Sequence, residues 1–524
     1  MDSTITVFRG YTHAAITLLR SSPAAHLVGR YLKQNLIENE YIPDHNEFRN
    51  GRWTRVYGHW EPKYQYYFYD EKAQKIHVPI AFCDELIAYI RGSGYRVEEK
   101  KMNDYPLRKV DVHIRPEFSD LPHQVELIKK CSEPVPGMKG LAMQTGKGKS
   151  YSAIKSWCNL GYASIVIVGK IIDQWIESIR EFTDCDPDYI YKLQEFDSLA
   201  LLAQNPQYKP NIFVASLRTM QIFCEGKEGY DVLPWNFTQF FSTYGIGVKV
   251  IDECHQSFHA TTIMDMKCNV PYSLYCSATF SQSSRAARDI FKRIFPREIQ
   301  YGLNAYDKYT TVVRLNYSGE VLEKKCIKSR GYMHTKYEKE IMVSERKLNT
   351  HVNEIFAPLI DQYFVNKYKP GYKALLFCSG IDFVEAVVCK LKKIYPQFKI
   401  ISYLGGDSMS VLKDADIVVS TTGKSGTGLD LKGLILAINS VSSSAEVMCK
   451  QMIGRLRKRD DVELVYCDLV DTNIAACVRH GDERRELLKS MCSKYFEYNG
   501  MHDISLQTGE IPRAEVSFPM KGLT

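Results

Sequence analysis

Ten short apolar runs, arranged in two series of five, limit what this chain can fold into. The first series is Gly140–Met143, Ser164–Gly169, Ile212–Ser216, Val248–Ile251 and Ser273–Ser277. The second is Ala374–Cys378, Lys399–Tyr403, Asp416–Ser420, Gly433–Ile438 and Leu464–Asp468. Runs of four to six residues are strand-sized, and helical stretches lie between them. Strands alternating with helices form a parallel sheet covered on both faces. Two series therefore imply two α/β units in tandem, with a cleft between them. At 524 residues the chain is too long for one core, and its length suggests about three or four domains.

Ahead of these runs lies a unit of different character. Pro23 to Asn39 reads as a helix, with Ala24, Leu27, Val28, Tyr31, Leu32 and Leu36 on one face. An aromatic-basic block follows, Phe48-Arg-Asn-Gly-Arg-Trp-Thr-Arg55, then Trp60 and an alternating stretch from Tyr64 to Tyr69. A turn at Asp70 to Ala73 would lead into a partner strand at Lys75 to Val78. Ala81 to Arg91 suits a helix closed by Gly92 and Gly94, and Tyr95 to Glu98 looks extended. Residues 1–20 carry no clear pattern. Lys100 to Arg108 reads as a linker.

Composition excludes several classes. Hydrophobic content of 45% and charged content of 25% are those of a globular protein, and a net charge of +7 permits a polyanionic partner. No apolar run reaches membrane-spanning length, and no signal-peptide core opens the chain. The 15 cysteines include no Cys-x-x-Cys pair, which fits thiols in a reducing compartment and a cytoplasmic setting.

Leu141-Ala-Met-Gln-Thr-Gly-Lys-Gly-Lys-Ser150 reads as strand, glycine turn and helix. Gly146 and Gly148 allow backbone geometry that a Cβ would block, and the helix N-terminus favours phosphate. Lys149 can reach the β- and γ-phosphates and Ser150 can hold Mg²⁺. The first glycine of a full phosphate loop is replaced by Met143. Asp252-Glu253-Cys254-His255 ends a later strand, where parallel sheets bind ligands. Asp252 would hold Mg²⁺ through water, and Glu253 would orient or deprotonate the attacking water. His255 and His259 are four apart, but no third ligand accompanies them, which argues against zinc. Ser277-Ala-Thr279 ends the next strand.

In this order, these motifs resemble those of a superfamily 2 helicase or translocase. The loop resembles motif I, Asp252–His255 motif II in its DECH form, and Ser277–Thr279 motif III. Leu376-Phe-Cys-Ser379 resembles motif IV, Ser420 to Asp430 motif V, and Gln451-Met-Ile-Gly-Arg-Leu-Arg457 motif VI. Leu121-Pro-His-Gln-Val125 is similar to the glutamine motif, in which Gln124 would read adenine.

The resemblance implies two tandem RecA-like parallel-sheet domains with a small α+β N-terminal domain. It places them at residues 106–310, 311–484 and 1–105, with a C-terminal tail at 485–524. It implies ATP and Mg²⁺ as cofactors, with Thr145, Gly146, Lys147, Gly148, His255, Gly428, Asp430 and Gln451 lining the nucleotide site. Arg455 and Arg457 would act from the second domain. The family's usual arginine finger falls at Lys458, so Arg457 is the candidate. Gly169, Lys170, Ser216, Arg218, Thr219, Thr421 and Thr422 would grip a nucleic-acid strand.

The N-terminal unit resembles that of phage branched-DNA helicases of the UvsW kind. Its aromatics, interleaved with Arg49, Arg52, Arg55 and Lys63, suit stacking and phosphate contact together, with Arg52, Trp53 and Arg55 as the named contacts. The resemblance implies an ATP-dependent helicase on forks, Holliday junctions or displacement loops, in recombination, repair or replication, and in the host cytoplasm if phage-encoded. An RNA helicase, or a nucleic-acid-binding scaffold with a degenerate ATP site, are the alternatives.

Overall fold

The computed structural model describes residues 4–500 except 43, 44, 50, 51, 57, 145, 170, 171, 228, 283, 284, 303–307, 329, 330, 406, 408 and 426–430. For 45–49, 52–56, 285, 286, 328, 409, 410, 424 and 425 it describes the backbone alone. The chain divides into two compact units at residue 304.

A seven-stranded sheet organises the first unit. Its order is Ile190–Leu193, Ile212–Ser216, Ser164–Val168, Val248–Asp252, Tyr272–Ser277, Gly137–Ala142 and Gln300–Tyr301, and every pairing is parallel. The Ser164–Val168 strand is buried along its whole length. Its alternate residues feed two cores. Ile165 and Ile167 join the cluster of Phe240, Phe241 and Tyr244, while Val166 and Val168 join that of Ile154, Trp157 and Ile179. A strand buried on both faces has little room for polar side chains, which is why 165–168 is a continuous apolar run.

The second unit repeats the architecture in the order Ile400–Tyr403, Ile417–Thr421, Lys373–Cys378, Leu434–Asn439, Leu464–Asp471, Thr310–Tyr317 and Lys494–Asn499, again all parallel. The fold is that of two tandem RecA-like parallel-sheet domains. All ten strands expected from the apolar runs are present, with ends that agree to within three residues and a coincident match at Ile212–Ser216. Four others escaped that reading. Ile190–Leu193, Gln300–Tyr301 and Lys494–Asn499 are sheet edges, where a polar half-exposed strand suffices. Thr310–Tyr317 is central, but Arg314 interrupts its apolar run, and that arginine is buried by pairing with Asp482 at 3.0 Å. The stretch from 485 completes the helix Ala475–Met491 and supplies the edge strand Lys494–Asn499.

The N-terminal region is a mixed five-stranded sheet in the order Phe68–Asp70, Lys75–Pro79, His13–Thr17, Thr4–Arg9 and Arg96–Lys101, with helices Pro23–Asn35 and Cys83–Gly92. Residues 1–20, patternless in sequence, supply two of these strands. The first helix ends at Asn35, four residues earlier than its periodicity suggested, because Ile37–Ile42 is drawn into antiparallel pairing with His59–Gln65. Beyond that rung the chain continues as the hairpin His45–Arg49 and Arg52–Val56. Val7, Leu32, Phe82 and Leu86 share one apolar cluster with Phe213 and Phe240 of the first RecA-like domain. The segment read as a linker is tied down as well. Tyr105 Oη donates to the Ile246 carbonyl at 2.7 Å, and the Arg108 N–H to that of Gly245 at 2.9 Å.

Candidate nucleotide site at the edge of the first sheet

In a parallel sheet every strand ends on the same edge, so the loops that follow converge there. The strand Gly137–Ala142 delivers the glycine loop, Val248–Asp252 the acidic pair, and Tyr272–Ser277 the third motif. Gly146 and Gly148 have φ of 85° and 82°, which L side chains rarely adopt. Gly148 also lies so close to Gln124 that a Cβ would fall 2.1 Å from its Nε2. The helix Lys149–Leu160 begins immediately after, with its first N–H groups facing the loop. Met143, in place of a first glycine, is buried in the apolar cluster beneath the loop. A packed side chain thus stands where other phosphate loops need none.

Lys149 is the centre of the site. Its ammonium bonds the Glu253 carboxylate and lies 3.3 Å from Asp252 Oδ1. Burial alone would pull this ammonium down, but Glu253 and Asp252 hold it well above the ordinary lysine value. Asp252 is oriented from its other oxygen by the indole of Trp175, 2.9 Å from Oδ2. Glu253 has a φ of 48°, a left-handed conformation that is uncommon outside glycine and concentrates at functional sites. The donors here are all oxygen, and the two carboxylates outnumber the one ammonium. That set fits Mg²⁺, which binds through one or two carboxylates and keeps several waters. Among the described residues no cluster of three or more His, Cys, Asp or Glu forms a closed metal cage.

The second and third motifs are bonded to each other. His255 Nδ1 lies 2.7 Å from Ser277 Oγ and 3.4 Å from Glu253 Oε2. Ser277 Oγ in turn accepts from the Thr279 N–H at 2.8 Å, and Gln282 donates to the His255 carbonyl at 2.5 Å. Burial holds His255 below the ordinary imidazole value, with Glu253 opposing part of the shift. The two histidines considered as a metal pair diverge. His259 stacks on Tyr64, with ring centroids 4.5 Å apart, and is not part of this cluster.

Other expected residues fall into three groups. Gln124 is 2% exposed and engaged at both ends: it accepts from the Leu121 N–H at 2.9 Å and donates to the Lys147 carbonyl at 3.0 Å. Gly169 is exposed at the sheet edge. Ser216 caps the helix Leu217–Glu225 through the Thr219 N–H, Arg218 is exposed, and Thr219 is buried with its hydroxyl accepting from Glu195. Thr145, Lys170, Gly428 and Asp430 lie outside the described residues, as do the side chains of Arg52, Trp53 and Arg55. Trp175, which donates to Asp252, is absent from the sequence reading of the site. Nothing but its helical spacing after the strand Ser164–Val168 signals it.

In the second unit, Thr421 ends the strand Ile417–Thr421 and Thr422 opens the short helix Thr422–Ser425. The helix Glu446–Ile453 carries Gln451 and stops before Gly454. Arg455 and Arg457 therefore lie in the following turn rather than on the helix. Arg455 is buried, and Arg457 donates to the Gly454 carbonyl at 2.9 Å. Arg459 is committed to Asp461 through two bonds of 2.9 Å, and Lys458 is exposed.

No family model matches the chain. It is 22% identical over 368 residues to Putative helicase 161L of Invertebrate iridescent virus 6, which spans 66% of this chain and 74% of that protein. Among solved structures, T4 UvsW is similar over 95% of this chain and 99% of its own, at 14% identity and a TM-score of 0.33. S. cerevisiae Dbp5 bound to RNA and ADP BeF3 is similar over 74% of this chain and 92% of its own, at 12% identity and a TM-score of 0.48. At those TM-scores the architecture rests on the chain's own two parallel sheets.

Proposed function

We propose that this protein is a nucleic-acid-dependent ATPase that acts as a DNA helicase or translocase on branched DNA, unwinding or branch-migrating forks, four-way junctions and displacement loops. The observation that carries the reading is the meeting of Lys149, Asp252 and Glu253 at the end of one parallel sheet, beside a glycine loop that opens a helix.

The chemistry follows from those groups. The loop N–H groups and the helix N-terminus take the phosphates, and Lys149 exchanges its carboxylate partners for β- and γ-phosphate oxygens. Ser150 and Asp252 would hold Mg²⁺, which neutralises charge on those oxygens. Trp175 keeps Asp252 in place. Glu253, released from Lys149, takes a proton from the attacking water. Gln124 holds the loop by its Lys147 carbonyl, so adenine recognition and loop position are linked through one side chain. Arg455 and Arg457 neutralise charge developing at the γ-phosphate, with Arg457 as the finger. The hydroxyls of Ser216, Thr421 and Thr422, with Arg218 and Lys170, grip the strand backbone. Arg52, Trp53 and Arg55 engage the branch.

The test is ATP hydrolysis and unwinding with a panel of forked DNA, four-way junctions, linear duplex and RNA. Hydrolysis stimulated most by forks and junctions supports the reading. Stimulation by RNA alone would replace it with an RNA helicase, and the absence of hydrolysis with any nucleic acid would leave a binding scaffold.

A further inference from the structure

One helix is pinned at both of its ends. It is Phe258–Asp265, which begins three residues after the Asp252–His255 motif. At its C-terminal end, Asp265 bonds the buried ammonium of Lys249, which lies on the same strand as Asp252, and accepts from Tyr275 Oη at 2.6 Å. The Asp265 backbone carbonyl also accepts from Thr12 Oγ1, in the turn before the strand His13–Thr17, at 2.8 Å. A buried ion pair with further hydrogen bonds fixes this end, because breaking it would strand a charge in the core.

The other end meets the antiparallel ribbon Ile37–Ile42 and His59–Gln65. His259 stacks on Tyr64 with an interplanar angle of 25°, and its Nε2 lies 3.0 Å from the Gln65 carbonyl. Tyr66 packs on Phe258 at 4.9 Å. Farther out the ribbon bears Trp60 and Tyr41, 69% and 48% exposed, directly paired with centroids 5.5 Å apart. Lys63 of the same ribbon holds its ammonium 5.7 Å from the Tyr64 ring centroid and 3.6 Å from Glu40. Exposed aromatics beside a cation suit stacked bases and a phosphate backbone.

We propose that the His259 joint couples the ribbon to the ATP site: a nucleic-acid strand held on the ribbon acts through this helix on Glu253. The helix cannot yield at Asp265, so displacement of the ribbon root at Tyr64 and Gln65 is passed to its first turn and the motif before it. His259 is a positioning residue; it touches neither nucleotide nor nucleic acid. The inference rests on the proposed ATPase function, and it adds the route by which nucleic acid controls that activity. Coupling between sites is reciprocal, so ATP binding also alters the grip of the ribbon.

The experiment compares the unmodified full-length protein with His259→Ala and His259→Phe. It measures hydrolysis with and without forked DNA, affinity for the same DNA, and thermal stability. The expected result for His259→Ala is an unstimulated rate and a DNA affinity within about twofold of the unmodified protein, with the stimulation factor reduced roughly fivefold or more. His259→Phe keeps a ring against Tyr64 and retains most of the stimulation. Unchanged stimulation in a folded His259→Ala protein overturns the proposal. Unmodified protein without any stimulated hydrolysis removes the functional reading itself, and the coupling with it.

Discussion

The two RecA-like domains place a helix N-terminus after a buried strand in the same way and fill it differently. In the first, the strand Gly137–Ala142 leads through the glycine loop to the helix Lys149–Leu160. The Lys149 ammonium stands beside its N-terminus, held by two carboxylates. In the second, the strand Lys373–Cys378 leads to the helix Ile381–Ile394, and the chain supplies its own anion. Glu338, 1% exposed, accepts from the Ser379 and Gly380 N–H groups at 2.6 Å each. Nearby, Asn439, Asp468 and Arg484 satisfy one another in the core. An N-terminus already occupied by a carboxylate has no use for a phosphate. One fold thus gives a domain whose helix N-terminus faces a glycine loop and a paired lysine, and a domain whose equivalent position is closed by a carboxylate.

The comparison breaks most visibly at Glu253. Glu253→Gln should keep nucleotide binding and lower hydrolysis by about 100-fold or more, read as phosphate release against nucleotide affinity. Glu338→Ala should behave in the opposite way. It leaves two part-buried N–H groups without their acceptor, so a loss of roughly 1–3 kcal/mol in stability is expected from unfolding curves, with nucleotide affinity in the first domain unchanged.

The titration of the second domain sharpens the contrast. Burial pushes the Glu338 carboxyl up to about 7, while its two N–H donors oppose the shift. The folded state therefore binds a proton that the unfolded state has lost above about 4.5. Its favourable contribution is present at acid pH and disappears as pH rises through that window. His334 works the other way. Burial holds it near about 3, so the unfolded state takes up a proton below about 6.5 and stability falls as pH is lowered. Unfolding measured across pH 4.5 to 7 should show a slope that Glu338→Ala shifts upward. The smallest effect is expected at Trp175→Phe, which removes the indole bond to Asp252. Hydrolysis should fall severalfold, with about 1 kcal/mol lost from stability.

The sequence carried most of this site because its residues sit in places that a strand–loop–helix pattern announces. Gly146, Gly148, Lys149, Asp252 and Glu253 follow apolar runs, and the runs exist because both sheet faces are covered. The pattern fails where pairing is long-range. Trp175 reaches Asp252 across 77 positions, and Glu338 reaches Ser379 across 41, so neither residue has a local signature. The strands within residues 1–20 are equally silent, since Thr4–Arg9 gains its partner Arg96–Lys101 from about 90 residues downstream. His259 is a further case. Its spacing from His255 allowed a metal pair that the lack of a third ligand argued against, and the partner it does have, Tyr64, lies nearly 200 residues away in sequence.

Lys149 and its two carboxylates are proposed as the working end of a nucleic-acid-driven ATPase. Phosphate release in the presence of saturating forked DNA, measured for the unmodified protein and for Lys149→Ala, tests it most directly. The account predicts DNA-stimulated hydrolysis in the first and a loss of about 100-fold or more in the second. A folded Lys149→Ala protein that hydrolyses ATP at the full stimulated rate would contradict it.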